Sequence, residues 1–148
     1  MKRVMLLILA GWLGGFAGNA FFGVLFSSQW IKNMLYDPAW QSQLYLDITP
    51  QRNLAVSIVG LIVLSGLHGI FFQLFKPAIP GRSWFQQGLF WGLTIWTTYY
   101  LFQEWFIYVT LLNEPITLAL IELAILLIGS LIEGLVIALA VEKMTEPT

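Results

Sequence analysis

The chain has 148 residues, of which 58% are hydrophobic, 16% aromatic and 10% charged, with a formal net charge of −1. A soluble domain is about 25% charged, so an ordinary water-soluble globule is excluded, and the near-neutral balance leaves no basic face for nucleic acid. The absence of cysteine excludes disulfides, thiolate metal sites and thiol redox chemistry.

Four apolar runs follow one another, each meeting the ~20 residues that cross a bilayer. The first covers residues 4–27. Lys2 and Arg3 ahead of it resemble the start of a signal peptide, and Gly18-Asn19-Ala20 resembles a cleavage site. The run continues through Phe21, Phe22, Val24, Leu25 and Phe26, beyond the ~7–15 residues of a signal-peptide core, so a retained span is expected.

Residues 28–49 interleave Trp30, Tyr36, Trp40 and Tyr45 with Gln, Asn and Asp, and Asp37-Pro38 has the form of a helix start. Aromatic rings with polar tips favour the headgroup region, which predicts a short interfacial helical segment, either an anchor or a lid over the outer end. The second span, 50–75, opens on Thr49-Pro50, a hydroxyl N-cap followed by proline. Two prolines and a glycine in Lys76–Arg82 end it. The third, 83–112, opens on Ser83 with Gln86 three residues on, a capping box. Asn113-Glu114-Pro115 turns the chain into the fourth, 114–142.

The expected fold is an all-α membrane protein with a single transmembrane domain over residues 1–148. Its four transmembrane helices form an antiparallel bundle, with the interfacial segment between helices 1 and 2. Lys2, Arg3, Lys76, Arg82 and Lys143 fall on one side and only Lys32 and Arg52 on the other, which puts both termini in the cytoplasm. The expected location is a bacterial inner membrane.

Apolar surface does not drive helix association in lipid, so small residues and polar contacts must. Gly11, Gly15, Asn19 and Gly23 recur at four-residue spacing beside a row of Ala10, Gly14 and Gly18. Ser130, Gly134 and Ala138 repeat the device on the fourth span, and Ser57, Leu61, Ser65 and Gly69 on the second. Spacing leaves open whether these grooves face sister spans or other subunits. The expected partners are the bilayer and either sister copies or other membrane subunits.

Away from the span ends, only His68, Glu104, Glu122 and Glu133 are acidic or basic side chains within the spans. A charge in hydrocarbon is costly, so this set locates any activity. Glu104 lies nine residues before Asn113 and Glu122 nine after it, which puts both roughly 13 Å below the same turn. Asn19 falls near that depth, and Tyr100 shares a helical face with Thr97, Glu104 and Tyr108. The expected outer cluster is Asn19, Tyr100, Glu104 and Glu122. His68 and Glu133 form an inner level about 12–15 Å from the cytoplasmic ends. Glu122 and Glu133, eleven residues apart, share one face of the fourth span.

These groups admit interhelical hydrogen bonding, a proton or cation pathway, or a site for a lipid-like molecule. His68 is flanked by Ser65, Gly66 and Gly69, which leaves room for the flat ring of a haem or chlorophyll; a bond to Glu133 or a backbone carbonyl is the simpler expectation. No catalytic residue, metal site or resident cofactor is expected. The chain has no metal-spaced His/Glu pair, no nucleophile–base arrangement and no phosphate-cradling glycine loop.

Pro80-Gly81-Arg82-Ser83-Trp84, the Asn113-Glu114-Pro115 turn, Glu122-Leu123 and Leu131-Ile132-Glu133-Gly134-Leu135 carry a resemblance. Over residues 70–143 the chain resembles small uncharacterised bacterial four-span membrane proteins. The resemblance implies the four-helix membrane fold; it implies no activity and transfers no functional residue. On these grounds the first expectation is a structural or accessory component of a membrane assembly. Proton-coupled or ion transport through the carboxylates is the alternative, and a lipid-like or porphyrin ligand the third reading.

Overall fold

The structure, a computed structural model, describes residues 2–37 and 53–145. Most of those residues are helical, with no strand among them. α1 is Lys2–Ser27, α2 is Gln29–Tyr36 and α3 is Leu54–Phe75. α4 begins as Trp84–Ile95 and continues, still helical, through π-helical stretches at Trp96–Tyr100 and Gln103–Leu111. α5 is Ile116–Thr145. Three stretches are long and apolar enough to cross a membrane: Lys2–Leu25, Leu54–Ala78 and Ile116–Met144.

Local chemistry sets the helix ends. Asn53 caps α3, its Oδ1 accepting from the Val56 N–H at 3.1 Å. The expected Thr49-Pro50 start lies outside the described residues, as do Trp40 and Tyr45 of the interfacial segment. Ser83 Oγ accepts from the Gln86 N–H at 3.3 Å, while Gln86 Oε1 accepts from the Arg82 N–H at 2.9 Å, so the reciprocal bond falls one residue earlier than in a standard capping box. Gly81 has φ +110°, where a Cβ would be strained and would meet Gln86.

α4 departs from α geometry where its threonines cluster. Thr94, Thr97 and Thr98 donate their hydroxyls to the carbonyls of Phe90, Leu93 and Thr94 at 2.9, 2.8 and 2.7 Å. Such back-bonding competes for the helix carbonyls and bends helices. Beyond it the backbone spans five residues, with Leu101 N–H on the Trp96 carbonyl and Leu112 N–H on that of Ile107. π-Helical turns of this kind concentrate at functional sites.

Glycines set the helix contacts. α1 packs on α3 where a Cβ on Gly11 would overlap the Ser65 carbonyl and one on Gly69 the Leu7 carbonyl. α1 also packs on α5, Gly14 against Ile137 and Gly18 against Gly129. α4 lies on α5 through Gly88, Gly92, Ser130 and Gly134. Indole donors pin two of these seams, Trp12 Nε1 to the Ile62 carbonyl and Trp96 Nε1 to the Leu123 carbonyl, each at 2.9 Å. α5 is thus the central helix, with α1 on one side and α4 on another. α2 folds back so that Ile31 is buried against Leu118, flanked by Ile121 and Ile125 of α5.

The grooves therefore face sister helices. Gly23 differs: no described atom lies within 4 Å of a Cβ placed there. The outward surface is apolar, with Phe16 76% and Val24 71% exposed, as suits a lipid-facing exterior.

Candidate functional site

Three helices meet at the inner level. Gly15 of α1 brings its backbone against Ser65 of α3 and to within reach of Glu133 Oε1 of α5. Into that junction α3 projects His68, whose Nδ1 lies 2.7 Å from Glu133 Oε1. The pair is largely buried, with side-chain exposures of 14% and 7%. Space for a porphyrin beside His68 is taken by α1: Gly69 faces Leu7 and Gly11, Gly66 faces Trp12, and Ser65 faces Gly11 and Gly15.

At the outer level the α4–α5 connection determines the geometry. Asn113 adopts the left-handed conformation, φ 56°, which short polar side chains tolerate. The chain turns back there, and the Glu114 N–H bonds the Tyr108 carbonyl at 2.9 Å. Glu114 is thereby buried beneath the end of α4 rather than extended outward, and is only 7% exposed. Burial first, then the charge of Glu122, pushes its carboxyl up to about 7.

Glu104 from the π-helical stretch is buried at 4% exposure beside the Glu122 side chain. One carboxylate oxygen from each of Glu104, Glu114 and Glu122 lies within 4.8 Å of the others. Glu104 Oε2 and Glu114 Oε2 are fully buried and meet no donor other than what a neighbouring protonated carboxyl would supply. Among the described residues no basic side chain pairs with any of the three.

Tyr100, one turn before Glu104, packs at the margin of the core and stacks edge-on against Tyr99 at 4.7 Å. Its phenol is close enough to Glu133 for the two to interact electrostatically. The structure thus brings together Glu104 with Glu122, and His68 with Glu133. Asn19 stands apart, exposed and donating to the Gly15 carbonyl of its own helix at 2.7 Å. An i−4 backbone carbonyl is always in reach of an asparagine on a helix, and here it takes the amide.

Glu114 is the residue that sequence reasoning left out, having read it as a turn residue. The signal was present in Asn-Glu-Pro: asparagine is among the few residues that enter the left-handed region, and the residue after such a turn is directed back at the helix it leaves. An open cleft of about 600 Å³ between α4 and α5, lined chiefly by Leu89, Phe90, Leu93, Leu127 and Leu131, is apolar and offers no comparable chemistry.

No family model, curated protein or solved structure matches this chain.

Proposed function

We infer that the chain is a four-span integral protein of a bacterial inner membrane, both termini cytoplasmic, that passes protons between two levels of intramembrane carboxylates. α4, at 1.5 Å per residue, is about 40 Å long and so sufficient as the fourth span. Antiparallel packing is supported by the contact pairs. Gly14 meets Ile137 and Gly18 meets Gly129; Gly88 meets Ala138 and Gly92 meets Ser130. In each case one number rises as the other falls.

The observation that carries the proton reading is the burial of Glu104 with its carboxylate oxygen within 4.8 Å of that of Glu122. Two carboxylates so close in a low dielectric share a proton rather than both carry charge. Tyr100, one turn before Glu104 and within electrostatic reach of Glu133, connects that proton to the His68–Glu133 pair, whose 2.7 Å separation suits a second proton. A phenol both accepts and donates, so it relays a proton without holding charge.

Vesicles reconstituted with the chain and loaded with a pH dye test this. An imposed pH gradient should collapse faster with wild type than with the Glu122→Gln, Glu133→Gln double variant. Equal rates overturn the reading. The second reading, an accessory component of a membrane assembly, rests on the outer half of α3. There Val56, Val59 and Val63 are exposed, and Gly60 has no described atom within 4 Å of a Cβ.

A further inference from the structure

Protons satisfy the outer cluster incompletely. A single proton between Glu104 and Glu122 leaves Glu114 Oε2 buried with nothing to bond, and each additional proton adds a donor that itself needs an acceptor. Burying a carboxylate without a partner is disfavoured, and among the described residues no Lys, Arg or His supplies one here. A multivalent cation is the group that satisfies three convergent carboxylate oxygens at once.

We propose that Glu104, Glu114 and Glu122 form a binding site for a hard divalent cation of the calcium or manganese type. The donor set is all oxygen, which selects Ca²⁺, Mn²⁺ or Mg²⁺ over thiophilic metals. Size discriminates further. Ca²⁺–oxygen distances of about 2.3–2.6 Å give a shell about 4.6–5.2 Å across. Oxygens lying within 4.8 Å of one another are close enough to share one such ion. Mg²⁺, at about 2.1 Å, demands a tighter octahedron and keeps several waters. The ligands come from two helices and the turn between them, so a bound cation clamps α4 to α5 at their joined end. Tyr108, whose carbonyl holds Glu114 in place, is a positioning residue through its backbone. Cation entry displaces the proton shared by Glu104 and Glu122.

Mn²⁺ binding to the purified full-length chain in lipid nanodiscs, followed by electron paramagnetic resonance, tests the site. Proton flux is not read in this experiment, so cation binding and proton transfer can fail separately. The expected result is one saturable Mn²⁺ per chain, displaced by Ca²⁺ and more weakly by Mg²⁺. Glu104→Gln and Glu114→Gln should each weaken binding at least tenfold, whereas Glu142→Gln at the far end of α5 should stay within twofold of wild type. A second measurement needs no variant: the infrared carboxylate stretches of the wild-type chain should shift on adding Ca²⁺. Absence of saturable Mn²⁺ binding, equal binding by the two site variants, or an unchanged infrared spectrum overturns the proposal.

Discussion

Glu114 titrates in a range that makes its environment measurable. Its ordinary value is 4.5, and burial with the nearby Glu122 charge raises it to about 7 in the folded chain. Between those values the folded state holds a proton that the unfolded state has released. The stabilisation is therefore fully present below about 4.5 and is lost as pH rises through about 7. Thermal unfolding in chelator-containing detergent should show a midpoint that falls across that window, and Glu114→Gln should flatten the fall. His68 and Glu133 make a different residue-scale prediction. His68→Leu strands a carboxylate in a packed junction and should destabilise by about 3 kcal/mol. Glu133→Gln keeps a partner for Nδ1 and should cost only about 1 kcal/mol. Unfolding titrations in mixed micelles separate the two.

Helix pairing depends on which glycines are covered. At Gly92 a Cβ would lie 2.5 Å from the Ser130 carbonyl oxygen and 2.7 Å from Leu131 Cα, both backbone atoms that cannot swing aside. Gly92→Ala should therefore destabilise by about 1–3 kcal/mol, the range of overpacked cores. Gly23→Ala and Gly60→Ala, with nothing described within 4 Å, should be neutral or slightly stabilising, since alanine loses less backbone freedom in a helix. The same micelle titrations rank the three, and a Gly92→Ala as stable as wild type would show that α4 and α5 have room to part. The π-helical stretches of α4 carry Tyr100 and Glu104 on wider turns, where side-chain directions depart from 3.6-residue spacing.

The arrangement of the whole molecule has a clean test because the chain contains no cysteine. Single cysteines introduced for Arg82, Lys143 and Gln29, all exposed positions, report sidedness by reaction with an impermeant maleimide. Four spans with cytoplasmic termini require Arg82→Cys and Lys143→Cys to be shielded in intact spheroplasts and labelled after permeabilisation. Gln29→Cys should label without permeabilisation. Should Arg82→Cys and Gln29→Cys react from the same side, α3 does not cross and the proton route loses one bank.

Much of this was legible in the sequence. Apolar runs of membrane length dictate helices, because unpaired backbone groups are too costly in hydrocarbon for any open alternative. That Glu104 and Glu122 stand level with each other followed from counting outward from one turn, since rise per residue is a constant of the helix. Rotation is not set by counting, and there tertiary structure decided. It directed Asn19 to its own backbone and filled the grooves at Gly11, Gly15 and Gly69 from within the chain. It also tucked Glu114 beneath α4 through the left-handed Asn113. Spacing along a chain sets which side chains share a level and a face. Which neighbour meets that face depends on how close the glycines allow two backbones to come, and that becomes defined only when the helices pack.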